Sequence, residues 1–136
     1  MSDVVINKTE IIERCINRIK EEYEGNPMNL KNYTKQDSIL LNIQRACEAC
    51  IDLAMHVVAE KSFGIPQNSR DAFELLRKNG VIDDVLERKL KSMVGFRNIA
   101  VHNYQLIDLK VVQDLIENGL NDLIVFSKII LQQYNN

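Results

Sequence analysis

Proline and glycine are scarce in this chain, at two and five of 136 residues. With 46% hydrophobic and 26% charged residues, that scarcity excludes collagen-like, low-complexity and disordered classes. No apolar run approaches the roughly 18 residues of a membrane span, so no membrane association is expected. The start, MSDVVINKTE, lacks a basic stretch followed by an apolar one, and a cytoplasmic protein is expected rather than a secreted one. A basic excess is missing too. The net charge of −2 and pI near 5.7 argue against a general nucleic-acid coat protein and give no reason to expect DNA as a partner. They leave room for a compact cationic site, because binding follows charge distribution as well as the sum.

Cysteine is also sparse. Cys15, Cys47 and Cys50 make an odd count, and the Cys47-x-x-Cys50 pair has no second pair to complete a zinc or redox motif. His56, the one histidine nearby, is not at finger spacing. Reduced cysteines in helix cores are expected, with no metal site and no cofactor.

What the sequence does contain is helical periodicity. The length fits one domain over residues 1–136, able to close a single core. Val5, Ile12, Cys15, Ile16 and Ile19 recur at three- and four-residue steps, predicting a first helix to about Glu22. Gly25, Asn26 and Pro27 break it. Thr34 and Asp37 resemble a start signal, with Thr34 as the N-cap. Ile39, Ile43, Cys47, Cys50, Ala54 and Val58 then trace one stripe to about Lys61. Ser69 is the expected cap of a short helix through Phe73, Leu75 and Leu76, which Gly80 ends. Asp83 or Asp84 opens a helix through Leu86, Leu90 and Met93. Asp108 opens the last, interrupted by Gly119 at a cost of ~1 kcal/mol relative to Ala; close approach of a neighbouring helix would explain that glycine. No alternating strand pattern or repeat appears. The expected fold is all-α, an antiparallel bundle of four main helices plus a short one.

The stretch MVGFRNIAVHNYQ sets an arginine, a histidine and a tyrosine close together at the end of the most basic run, which holds Arg88, Lys89, Lys91 and Arg97. On an uninterrupted helix Arg97 and His102 sit ~140° apart, and His102 and Tyr104 ~200° apart. Should the helix end near His102, with Asn103 in the left-handed conformation that stops helices, His102 and Tyr104 can share a side in the extended chain that follows. A guanidinium presents a planar fork suited to phosphate oxygens, and an imidazole, with an ordinary pKa near 6.5, exchanges protons near neutrality. The pair suits RNA cleavage without a metal: His102 helps deprotonate a 2′-OH while Arg97 steadies charge on the phosphoryl oxygens. One histidine leaves the departing oxygen without an acid, and a homodimer with a shared cleft supplies it. Along the second helix, Gln44, Arg45, Glu48 and Asp52 form a polar strip, and Glu48 is a candidate to line the cleft or orient Arg97.

RNIAVHNY resembles the R-x4-H-x-Y pattern of the HepT toxins, members of the HEPN superfamily of small helical ribonucleases. QDSILLNIQRACEACIDLA, GIPQNSRDAFELL and MVGFRNIAVH resemble further HepT segments in order and spacing. The resemblance implies a HEPN-like bundle that dimerises. It implies RNA cleavage by Arg97 and His102, with Asn98 as the polar residue of the motif, and an RNA substrate, tRNA among the candidates. It also gives Tyr104 a role that residue reading alone does not: acceptor of AMP from ATP, transferred by a MntA-type nucleotidyltransferase antitoxin. A competing expectation is a non-catalytic helical subunit that binds a nucleotidyltransferase.

Overall fold

A computed structural model describes residues 3–134. The chain begins with α1 (Asp3–Tyr23), whose buried residues Val5, Ile12, Cys15, Ile16, Ile19 and Tyr23 repeat on one face. The helix stops where Glu24 and Gly25 both take positive φ, at 53° and 67°, a region that glycine alone enters without cost. The break is not unstructured. Pro27–Lys31 forms a 3₁₀ turn capped by Asn26, whose side chain accepts from the Met28 amide at 3.0 Å, and it buries Leu30.

α2 (Tyr33–Glu60) is the longest element, and its buried residues run most of the way around it: Ile39, Leu40, Ile43, Ala46, Cys47, Ala49, Cys50, Ile51, Leu53, Ala54, Val57 and Val58. A helix apolar on so many sides belongs in the centre of a bundle, and α2 packs against α1, α3, α4 and α6. Its cap is Asn32, which accepts from the Lys35 amide at 3.1 Å, not Thr34 as expected from the sequence; Thr34 lies inside the first turn. A similar shift, of one residue instead of two, occurs at α3 (Ser69–Lys78), where Asn68 accepts from the Asp71 amide at 3.0 Å and is the cap in place of Ser69. Ser69 is thereby released for another contact.

α4 (Asp84–His102) opens on Asp83, which accepts from the Leu86 amide at 2.8 Å. Glu87 is buried at the α3–α4 contact, between Arg77 Nε at 2.9 Å and Lys91 Nζ at 2.8 Å. Burial pushes its carboxyl up, but the hydrogen bonds from Lys91 and Arg77 outweigh this and hold it below the ordinary carboxylate value. Asp108 caps the last helical run, accepting from the Lys110 amide at 2.9 Å. That run is α5 (Leu109–Asp114), a π-helical turn over Leu115–Gly119, and α6 (Leu120–Tyr134). A Cβ on Gly119 would stand 2.9 Å from Met93 Cε, so α4 is the neighbour whose approach accounts for that glycine. Counted as one continuous run, α5 to α6 joins α1, α2 and α4 as the four main helices, with α3 the short fifth. Among the described residues, no helix is long and apolar enough to cross a membrane.

The core is continuous through all of these elements. Its aromatic centre is Phe73 of α3 against Phe126 of α6, with ring centroids 5.6 Å apart and planes at 70°, an edge-on geometry favoured by the ring quadrupoles. Both side chains are fully buried. Phe73 is therefore the anchor of the shortest helix, and Phe73→Ala should lower the unfolding free energy by about 3–5 kcal/mol. Urea denaturation followed by circular dichroism checks this; a loss under about 1 kcal/mol would mean that α3 is held elsewhere.

Candidate functional site

Arg97 lies on α4 and points inward, with its side chain 21% exposed. Nη1 is 3.5 Å from Glu48 Oε1 on α2, and Nη2 donates to Ser69 Oγ on α3 at 3.2 Å. Three helices thus meet at one guanidinium. Its Nε is buried and has no hydrogen-bond partner among the described residues. Glu48 is 44% exposed, so solvent weakens the ion pair, and its main effect is on direction. A contact of Glu48 with Arg97 was among the expectations from the sequence; one with Ser69 was not, because Ser69 was read as a cap.

Cys47 lies one residue before Glu48 and close enough to Arg97 to feel its charge. Burial pushes the Cys47 thiol up to about 12, while Arg97 pulls it down. Burial also raises Cys15 and carries Cys50 well above its ordinary value. None of the three is poised as a thiolate nucleophile. All are free and buried.

His102 is the last residue of α4 and is exposed. Within the chain it makes no hydrogen bond to Arg97 or Tyr104 among the described residues. α4 runs unbroken through both Arg97 and His102, so the two side chains keep the ~140° separation of a regular helix. Asn98 is half-buried on the same helix. Asn103 does end the helix, but with φ −142° and ψ 57°. This is not the left-handed conformation expected, and its amide instead bonds back to the Ile99 carbonyl at 2.8 Å. Nor does an extended segment follow. Tyr104–Leu106 turns at once into a 3₁₀ turn, so alternation along a strand is not what orients Tyr104.

A contact from far along the chain does so instead. The Tyr104 hydroxyl donates to Asp37 Oδ1 at 2.9 Å. Asp37 had the look of a helix start signal, yet Asn32 caps that helix and leaves Asp37 exposed on its side. Asp37 and Glu48 are eleven residues apart, which is ~20° past three whole turns and about 16 Å along the axis. One face of α2 therefore carries both carboxylates, one on Tyr104 and one on Arg97. That periodicity is the signal from which Asp37 could have been found. Between and beyond them Leu41, Gln44, Arg45 and Asp52 line an open groove with Lys8 and Arg14 of α1, and Lys8 bonds Asp52 at 3.0 Å. Among the described residues no cluster of His, Cys, Asp and Glu has the arrangement to hold a metal ion.

Three comparisons bear on this arrangement. The family model described as Ribonuclease HepT-like matches residues 12–130. The chain is 46% identical over 130 residues to the mRNA nuclease HepT of Shewanella oneidensis, covering 96% of this chain and 98% of that one. Its fold superposes with a TM-score of 0.91, at 47% identity and covering 97% and 99% of the two chains, on a tri-AMPylated HEPN toxin of Shewanella oneidensis solved in complex with an MNT antitoxin. A second toxin–antitoxin structure, with AMP-PNP, matches with a TM-score of 0.88 at 46% identity over 96% of this chain and 99% of that one.

Burial raises the Tyr104 phenol above its ordinary 10.0, and the hydrogen bond to Asp37 adds to the shift, since ionisation would set two negative charges side by side. Asp37→Asn should therefore lower the Tyr104 value, as read by a ¹³Cζ NMR titration of the tyrosines. A value unchanged or higher in the variant would mean that Asp37 does not hold the hydroxyl.

Proposed function

The chain belongs to the HepT-like ribonuclease family, and on that premise we propose that it is the toxin of a toxin–antitoxin pair, a metal-independent endoribonuclease. The observation that carries the proposal is Arg97, fixed by Glu48 and Ser69 on two other helices, with an exposed imidazole at the exit of the same helix. A structural arginine has no need of three helices to aim it, and a surface histidine has no need of such a neighbour.

Because Arg97 and His102 diverge within one chain, the working cleft is composite, built where two copies meet about a two-fold axis. Each 1–136 chain is a single domain. In the cleft one His102 takes the proton of an RNA 2′-OH as the 2′-oxygen bonds to phosphorus. The bond to the 5′-oxygen breaks, and that oxygen takes a proton from the second chain's His102. Arg97 from each side stabilises the charge gathering on the phosphoryl oxygens, with Asn98 and Glu48 in supporting positions. RNA, tRNA included, is the substrate class, and the reaction takes place in the cytoplasm.

Tyr104 is the acceptor of AMP from a MntA-type nucleotidyltransferase antitoxin, to which ATP belongs as substrate. It is 48% exposed and so open to an enzyme. Each adenylate brings bulk and negative charge to the cleft, and both oppose RNA phosphates within a Debye length of about 10 Å.

Purified protein should cut RNA in EDTA and leave 2′,3′-cyclic phosphate ends. Arg97→Ala and His102→Ala should each slow cleavage by about 10²-fold or more. Cleavage that vanishes in EDTA, or survives unchanged in His102→Ala, would contradict the proposal. A stable complex with the nucleotidyltransferase and no RNA cleavage at all would point to a binding subunit instead.

A further inference from the structure

Nothing in the nuclease chemistry requires Asp37, yet its carboxylate holds the hydroxyl of Tyr104. We infer that Asp37 is the proton acceptor for the modification of Tyr104, so that the toxin supplies the base for its own silencing. The inference rests on the reading of Tyr104 as the AMP acceptor.

The geometry is specific. Asp37 Oδ1 lies 2.9 Å from the Tyr104 oxygen across 67 residues of sequence, within reach for direct proton transfer. Asp37 has no ion pair among the described residues, so no cation neutralises it. Tyr33 offers a contrast. It sits one helical turn from Asp37 and is more exposed than Tyr104, at 78% against 48%, but its hydroxyl bonds no carboxylate among the described residues. Tyr23 donates to Glu117 but is buried. Tyr104 combines access for a bulky nucleotide with a carboxylate already on its proton.

The chemistry needs such a group. A phenol that stays protonated at neutral pH is a weak nucleophile. As the Tyr104 oxygen bonds to the α-phosphorus of ATP, the bond to pyrophosphate breaks and the phenolic proton passes to Asp37. The products are the tyrosyl adenylate and pyrophosphate, and Asp37 later returns its proton to water. Proton uptake also removes the negative charge that would face the triphosphate during transfer. Once ionised again, Asp37 stands beside the new phosphodiester and adds to the negative field at the cleft.

The test measures transfer of label from [α-³²P]ATP to the full-length chain by the cognate nucleotidyltransferase. Asp37→Asn keeps an oxygen in hydrogen-bonding position but cannot take the proton. Its initial labelling rate should fall by about 10²–10⁴-fold, the usual range for acid–base catalysis. The loss should lie in kcat, with KM for the toxin little changed. Asp37→Glu should recover part of the rate. RNA cleavage by unmodified Asp37→Asn should stay within about two-fold of wild type, because the nuclease step does not use this carboxylate. Labelling of Asp37→Asn at close to the wild-type rate would overturn the inference. Parallel loss of RNA cleavage and of thermal stability would overturn it too, by assigning Asp37 a structural role. Wild-type chain that takes no label, or Tyr104→Phe labelled as fast as wild type, would remove the premise itself, an outcome distinct from failure at Asp37 alone.

Discussion

One exposed face of α2 holds the chemistry in place. The helix is buried on most of its circumference, so it is a rigid rod whose remaining polar strip sits at a fixed angle to the rest of the bundle. Asp37 and Glu48 lie on that strip three turns apart, and each takes hold of a group at or just past the far end of α4: the Tyr104 hydroxyl at 2.9 Å and the Arg97 guanidinium at 3.5 Å. The spacing between the two functional groups is thus set by the helical repeat of a different element. α4 alone could not set it, because its regular geometry ends at His102 and Tyr104 lies beyond, in a turn of its own.

The Arg97–Glu48 pair contributes little to stability and is weak enough to be exchanged. A carboxylate nearly half exposed gives little net energy to a cation at 3.5 Å. The neutral bond to Ser69 keeps the side chain aimed without adding a second charge. On the proposed reading, a phosphate oxygen arriving at the guanidinium competes against a weak partner and gains a strong one. The contrast is Glu87, where Arg77 and Lys91 close on a buried carboxylate at 2.9 and 2.8 Å. That cluster fixes α3 against α4, and so carries Ser69 to its place. One ionic group is tight and buried, as a structural contact is; the other is loose and half exposed, which suits the proposed meeting of its cation with a second partner.

The sequence made the helices legible, since each buries one or more stripes at three- and four-residue steps. It also made the polar residues at and just past the end of α4 legible, because a guanidinium, an imidazole and a phenol in eight residues have no place in a core. Caps were less readable. Asn32 and Asn68 outcompete Thr34 and Ser69 one or two residues later, a choice settled by the backbone angles entering each helix. Asn103 illustrates the same limit: an asparagine at a helix end signals a stop but not the conformation that makes it. The contacts of Asp37 and Ser69 were hidden for a different reason. Their partners lie 67 and 28 residues away, and only the packed bundle brings them together.

Within one chain the guanidinium looks inward and the imidazole outward, so the account stands or falls on a cleft completed by a second copy. The direct measurement is a mixed dimer with one wild-type chain and one His102→Ala chain. Differently tagged wild-type and His102→Ala proteins would be unfolded together, refolded, and purified through both tags, then assayed on RNA. A composite cleft that uses both imidazoles, one as base and one as acid, predicts that the mixed dimer loses cleavage by about 10²-fold or more, as the His102→Ala homodimer does. A mixed dimer that keeps half of the wild-type rate would contradict the shared cleft.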